Sequence, residues 1–280
     1  MSECSAEDIA QFVNVMKSFT AYDFSDYSDK SLRRRLSKVL FDNRLDLHGL
    51  LTEIQHNPQF VEKVVKEITV NTSEMFRDPQ VWQAYRQHVI PNYKDQPSFD
   101  VWHSGCSTGQ EVYTHLILLS EMKMYEKTNV YATDLNVDVI EAARKGHYKY
   151  RFNMNYLENF DKVIREDPHT GEKIDVPYTK YMDIDKSRDT IRIHENLCKK
   201  PVYHKHDLVK EDNIFNMQFD VIFCRNVIIY FNTHLQNKVF HLFYNSLKPN
   251  GCLILGLHET ILGPYSGNFD KKEHFFYFKK

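Results

Sequence analysis

Two glycines, a glutamate and an aspartate carry the first chemical signal in this sequence. Gly105-Cys-Ser-Thr-Gly109 follows the apolar run Phe99-Asp-Val-Trp-His103 and leads into Gln110-Glu111. Beyond it Val112, Leu116 and Leu119 recur at helical spacing. A strand, a glycine turn and a helix start form a corner where backbone can approach a nucleotide closely. Asn129-Val-Tyr-Ala-Thr-Asp134 ends 25 residues after Gly109 and reads as a second short strand closing on an acid. In open α/β sheets that acid sits over ribose hydroxyls. The loop alone is a common turn, and it lacks both the G-x-G-x-x-G fingerprint and a Gly-Lys-Ser/Thr ending. Loop and acid together point to an adenosine site. The plainer alternative makes Asp134 a helix-capping residue.

The elements that must position these residues fall into two halves. The first 70 or so residues read as helical. Ser5 can cap a helix carrying Ile9, Phe12, Val13 and Met16 on one face. A second helix runs from about Lys30 to Asp42, with Leu32, Leu36, Val39 and Leu40 as its buried stripe. Lys30, Arg34 and Lys38 recur every four residues on its other face, flanked by Arg33 and Arg35. Such a run is usually a solvated face; the functional alternative is a docking surface for an acidic helix or a phosphate. Asn57-Pro58 opens a third helix with Phe60, Val61, Val64, Val65 and Ile68 inward. The polar stretch Asn71-Thr-Ser-Glu-Met-Phe-Arg-Asp-Pro79 then lies between the halves, where clefts form, and Pro79 limits any helix passing through it.

In the α/β half a helix from Val137 to about Lys145 ends at Gly146. Tyr148 to Lys200 reads as an insertion with turns around Pro168 and Gly171, and within it Thr190-Ile-Arg-Ile-His194 alternates like a half-covered strand. Val202-Tyr-His-Lys-His-Asp207 returns to the main sheet. His204 and His206 share a face of it, but no third metal ligand follows at suitable spacing. Phe219 to Phe231 is a buried strand interrupted by the polar pair Arg225-Asn226, and a helix from about Thr233 to Leu247 follows. Lys248-Pro-Asn-Gly251 is a turn, Cys252 to Leu257 a strand, and Phe275-Phe-Tyr-Phe278 a last aromatic strand. A parallel sheet closed by a C-terminal hairpin resembles the class I (Rossmann-like) methyltransferase fold, which makes the expected adenosine ligand S-adenosylmethionine.

Composition bounds the function classes. The 280 residues have a formal net charge of -2, so no global field favours nucleic acid or an anionic membrane. No apolar run reaches membrane-span length, and no signal-peptide pattern opens the chain. Five scattered cysteines without a C-x-x-C pair imply reduced thiols, hence a cytoplasmic setting, and neither a disulfide framework nor a zinc site. The absence of a heptad seam or long exposed apolar helix face implies a monomer.

The ordered set Asn71 to Pro79, Gly105-Cys-Ser-Thr-Gly-Gln-Glu111, Ala132-Thr-Asp134 and Phe223-Cys-Arg-Asn-Val-Ile-Ile-Tyr-Phe231 resembles the chemotaxis receptor methyltransferase family, CheR. The resemblance covers nearly the whole chain. It implies an N-terminal all-helical domain over 1–70 and a methyltransferase domain over 71–280, with a small antiparallel β-subdomain inserted at about 178–200. It implies transfer of a methyl group from S-adenosylmethionine, leaving S-adenosylhomocysteine, to glutamate side chains on the cytoplasmic helices of methyl-accepting chemotaxis receptors. By similarity Asn71, Ser73, Arg77 and Gly105 line the cofactor site. Glu111 holds the cofactor's amino acid end, Asp134 its ribose, and Asp207 and Leu208 flank its adenine. Arg225 and Asn226 follow at the neighbouring strand's edge. Arg77 and Tyr230 match the positions nearest the transferred methyl, and Arg34 and Lys38 lie on the helix that matches the receptor-facing one.

Departures from the family pattern are Gln110 for a second glutamate, Val112 for a proline and His103 for a small residue. The connection from Asn155 to Tyr178 is also longer than usual. A glutamate carboxylate, with an ordinary pKa of about 4.3, is already ionised near neutrality, so no general base is required. The expected work of the protein is alignment and water exclusion. Arg77 is expected to orient a carboxylate and Tyr230 to hydrogen-bond near the reacting centre; the plainer reading makes Tyr230 an aromatic wall. Two rival classes are a methyltransferase of this fold acting on another carboxylate, and a non-catalytic sensor of S-adenosylmethionine or its product.

Overall fold

A computed structural model describes residues 4–167 and 170–280; the turn expected at Pro168 lies outside the described residues. The described N-terminal residues form four helices, α1 (Ala6–Phe19), α2 (Asp29–Asn43), α3 (Leu47–His56) and α4 (Pro58–Ile68). Ser5 opens α1 through a reciprocal capping box with Asp8. Helix α3 is absent from the sequence reading. It buries only Leu50 and Ile54 and contains Gly49, so its periodic signal is weak. Asn57 joins it to α4, its N–H donating to Glu53 O and its side chain accepting from Phe60 N–H. Phe12, Met16, Leu36, Val39, Leu50 and Val64 are fully buried together.

Pro79 starts a helix, α5 (Pro79–His88), and so opens an element where the sequence suggested a limit. Proline lacks the N–H that would be unpaired at that position anyway. The chain then runs through β1 (Phe99–Ser104), α6 (Gln110–Glu121), β2 (Thr128–Asp134), α7 (Val137–Lys145) and β3 (His147–Tyr148). Next comes α8 (Met154–Ile164), inside the stretch read as an insertion with turns. Its Tyr156, Phe160, Val163 and Ile164 are buried at helical spacing, with Phe160 edge-on to Phe76. Then follow β4 (Met182–Asp185), β5 (Thr190–Ile193), α9 (Glu195–Lys199), β6 (Val202–Lys205), β7 (Phe219–Cys224) and α10 (Thr233–Ser246). The last strands are β8 (Leu247–Leu255), β9 (Phe269–Lys272) and β10 (Phe276–Lys279).

The main sheet has seven strands in the order β6-β2-β1-β7-β8-β10-β9. The first five are parallel, and β10 lies antiparallel between β8 and β9. This is the class I methyltransferase arrangement, with the expected C-terminal hairpin. Strand β9 is missing from the sequence reading because three of its four residues are charged and exposed. A small antiparallel sheet, β3-β5-β4, takes its third strand from His147–Tyr148, well before the segment expected to form it. Strands β1 and β7 are buried at every residue. At their amino ends Lys248 Nζ lies 2.8 Å from both Asp100 and Asp220. The polar groups at their carboxyl ends face a cleft instead.

Candidate active site

The cleft lies outside the carboxyl ends of β1, β2 and β7, and the N-terminal helices form its far wall. It encloses about 1070 Å³, open solvent included. Its floor begins where the chain leaves β1. The N–H groups of Gly105 and Cys106 both donate to Thr133 O, at 2.8 and 2.9 Å. Gly105 has φ +77°, and a Cβ there would lie 2.5 Å from Val227 Cγ2. Gly109, at φ +88°, lets α6 start against α7; a Cβ would meet Ala143 Cβ at 2.8 Å. Both positions therefore require glycine.

Asp134 ties this loop to the end of β2, accepting from Ser107 N–H at 2.9 Å and Asn136 N–H at 3.0 Å. Burial pushes its carboxyl above the usual range, and those N–H groups oppose the rise. The cap of α7 is Asn136, whose side chain accepts from Asp138 N–H, so the capping role considered for Asp134 falls to its neighbour. Asp207, just past β6, accepts from Val209 N–H at 2.9 Å and is likewise pushed up by burial; Leu208 beside it also lines the cleft.

Glu111 projects from the first turn of α6. Its carboxylate accepts from His103 Nδ1 at 2.9 Å and from Arg225 Nη1 at 3.3 Å. Burial alone would raise this carboxyl, but the His103 hydrogen bond and the Arg225 charge outweigh it and hold it below the usual range. Arg225 also reaches Asp78 at 2.8 Å and Arg77 O at 3.1 Å, and its guanidinium lies over the Trp82 ring. It is a buried clamp between β7 and the Asn71 to Pro79 segment. Arg77 lines the cleft partly exposed, and its guanidinium pairs with no carboxylate among the described residues. Asn71 lines the cleft too, but its side-chain N–H groups are committed to Lys66 O and Thr69 at the end of α4. Ser73 lies beside it, its carbonyl accepting from the Tyr156 hydroxyl.

Asn226 and Tyr230 stand on the loop after β7, and both line the cleft. Glu259, 5% exposed, hangs this loop in place. It accepts from the N–H groups of Asn226, Val227, Ile229 and Gly256 at 2.7–3.4 Å. Sequence reading missed Glu259, since a lone acid after a buried strand announces nothing. It also missed Tyr27 and Ser31, which bring the N-terminal half into the site. Ser28 N–H donates to Tyr230 O and Asn232 N–H to Asp26 O, each at 2.8 Å, and Tyr27 sets its ring edge on Phe231. Burial, with Asp207 and Asp134 nearby, pushes the Tyr27 phenol above its usual range.

Arg34 and Lys38 sit on the exposed face of α2, Lys38 paired with Asp42, and neither lines the cleft. Burial pushes the guanidinium of Arg35, which is close to Arg34, below its usual range. His204 is exposed, whereas His206 is buried with Nε2 against Asp212 O at 2.9 Å. No group of three or more His, Cys, Asp or Glu among the described residues could hold a metal ion.

The donor set fits S-adenosylmethionine. Glu111 suits an ammonium, Asp134 a diol, and the wall at Leu208 a purine. The hydroxyls of Ser104 and Ser107 are buried beside the cleft floor without a partner among the described residues.

Comparison with known proteins finds relatives across both halves of the chain. The profile described as CheR methyltransferase, SAM binding domain matches residues 71–274, and CheR methyltransferase, all-alpha domain matches residues 7–69. A Pseudomonas putida protein whose name, Cher3, marks it as a candidate methyltransferase is 34% identical over 89% of this chain and 88% of its own length. A chemotaxis protein methyltransferase of Listeria monocytogenes is 26% identical over 98% of this chain and 97% of its own. One from Borreliella burgdorferi is 25% identical over 92% and 89% respectively.

Proposed function

The chain belongs to the CheR methyltransferase family, and from that premise we propose that it methylates glutamate side chains of methyl-accepting chemotaxis receptors, forming methyl esters. That it is an S-adenosylmethionine-dependent methyltransferase follows from the family itself. The observation that supports the glutamate reading is that an uncommitted Arg77 and Tyr230 line one cleft. An ionised carboxylate needs orientation and loses no proton on attack, so this set suffices for it.

S-adenosylmethionine, when bound, supplies a methyl group activated on a sulfonium. Glu111 accepts from the cofactor's ammonium, Asp134 from its ribose hydroxyls, and Asp207 and Leu208 border the adenine. Arg77 orients a carboxylate at the reacting end, and Tyr230 donates a hydrogen bond beside it. Arg34 and Lys38 offer positive charge to acidic receptor helices from the exposed face of α2. We also assign residues 1–70 and 71–280 to separate domains, the β-subdomain at about 178–200 being joined by β3 from His147–Tyr148. The enzyme is a monomer acting in the cytoplasm. No helix among the described residues is long and apolar enough to cross a membrane.

Methyl transfer from labelled S-adenosylmethionine to receptor cytoplasmic fragments tests the proposal, with glutamate-to-alanine fragments as controls. Base-labile label that disappears with those glutamates is the expected result. Cofactor binding without label on any receptor fragment would instead favour another carboxylate substrate or a sensor of the cofactor.

A further inference from the structure

Behind the cleft wall three polar side chains form a line through an otherwise apolar region and end on Glu111. Glu111 Oε1 lies 2.9 Å from His103 Nδ1, His103 Nε2 lies 3.0 Å from His115 Nδ1, and His115 Nε2 lies 2.9 Å from the Tyr85 hydroxyl. His103, His115 and Tyr85 are fully buried around Phe223. The His103 ring stacks on Phe223 at 4.5 Å and 7°, and the Tyr85 and His115 rings meet it at 5.3 and 5.1 Å. A buried chain of this kind is tolerated only when every member is satisfied.

One direction satisfies it. The carboxylate can only accept, so His103 Nδ1–H donates to Glu111. His103 Nε2 then accepts from His115 Nδ1–H, and His115 Nε2 accepts from the Tyr85 O–H. The opposite polarity needs a second proton on His103 and leaves the Tyr85 hydroxyl hydrogen without an acceptor among the described residues. Burial, with His103 beside it, holds His115 well below the usual imidazole range, and burial raises the Tyr85 phenol well above its own. A singly protonated His115 and a donating Tyr85 are what the first direction demands.

We propose that His103 is a positioning residue for the cofactor seat, fixing the Glu111 carboxylate so that its free lone pairs face the cofactor's ammonium. His103 and Arg225 each occupy one site on a carboxylate that offers about four, and the remainder are left for that ligand. The proposal rests on the reading of Glu111 as the seat of the cofactor's amino acid end. An apolar side chain at 103 would fill the same volume yet free the carboxylate to rotate. The amino acid end should then lose its hold while the adenosine end keeps it.

Calorimetric binding of two ligands to the full chain separates these ends. S-adenosylhomocysteine carries the amino acid, and 5′-methylthioadenosine lacks it. His103→Leu is expected to weaken S-adenosylhomocysteine on the order of tenfold, as for loss of a hydrogen bond to a charged group, and to leave methylthioadenosine unchanged. His103→Asn keeps an N–H toward Glu111 and should recover most of the loss. Equal weakening of both ligands, or of neither, would show His103 to be core filling only and overturn the proposal. Glu111→Gln is the control for the premise: unchanged S-adenosylhomocysteine binding there removes the seat, and the positioning role with it. Should His103→Leu fail to fold, nitrogen NMR of the wild-type imidazoles decides. Protons on Nδ1 of both His103 and His115 support the chain, and a proton on His103 Nε2 refutes it.

Discussion

Arg77 and Arg225 carry the same side chain into opposite employment. The Arg225 side chain is 2% exposed and holds Glu111, Asp78 and the Arg77 carbonyl at once, whereas Arg77 meets the cleft without a carboxylate partner among the described residues. Arg77→Ala should therefore cost little stability but lower turnover at saturating cofactor by about 10²-fold, the scale for losing a preorganised charge contact. Steady-state kinetics beside thermal melts would show the split. Arg225→Ala should instead cost stability, since it strands two carboxylates; urea unfolding is expected to show a loss of about 3–5 kcal/mol. Glu111 makes a pH prediction. Its folded-state carboxyl lies below the ordinary glutamate range, so the stability it contributes is fully present above that range and is lost as pH falls through the folded value. Asp134, Asp207 and Glu259 are shifted upward and act with the opposite sign. Melting temperatures followed from pH 7 to about 3 should therefore fall less steeply below the ordinary glutamate range in Glu111→Gln than in wild type. At this scale Gly105 and Asp134 stood out only as a pair, a glycine corner followed by an acid at a strand end, and Glu111 through the family resemblance. The partners that set their behaviour, His103 and Arg225 above all, come from separate strands and could not be paired from the sequence.

Elements differ in how openly they declare themselves. Helix α4 and strands β1 and β7 were evident from unbroken periodic or apolar runs. Helices α3 and α8 were not. The first buries two residues, and the second, though its buried positions keep helical spacing, lies in a stretch that was read as an insertion with turns. Their stability comes from tertiary packing, which outweighs weak local preference. The loop after β7 is a still clearer case of outside support. Asn226, at φ +60°, turns the chain, and the Glu259 carboxylate gathers the N–H groups that follow. Glu259→Gln places an amide NH₂ among those donors. It is expected to cost about 1–3 kcal/mol and to lower turnover more than cofactor affinity, because Tyr230 rides on that loop. Denaturant unfolding and the separate values of kcat and Kd would test this.

At the scale of the whole molecule, the cleft belongs to both halves of the chain. Tyr27 and Ser31 come from the N-terminal half, and the Asp26–Ser28 segment hydrogen-bonds across to Tyr230 and Asn232. Ligand in the cleft should therefore stabilise residues far in sequence from the sheet. Hydrogen exchange over residues 22–31 is expected to slow when S-adenosylhomocysteine is added at about 100 times its Kd, where binding contributes about 2.7 kcal/mol. Exchange that slows only around residues 104–111 and 134 would place Tyr27 outside the seat.

The sequence by itself determined the α/β class, the cofactor and the family, because local signals carry those: a glycine corner, an acid at a strand end, and ordered motifs along the chain. Only the tertiary structure decided that Arg225 is a buried clamp while Arg77 stays uncommitted, that Asn136 relieves Asp134 of capping, and that Glu259 and Tyr27 help build the site. The physical reason is range. Periodicity and turn chemistry act over a few residues, whereas burial and ion pairing join residues such as Glu111 and Arg225 that are 114 positions apart.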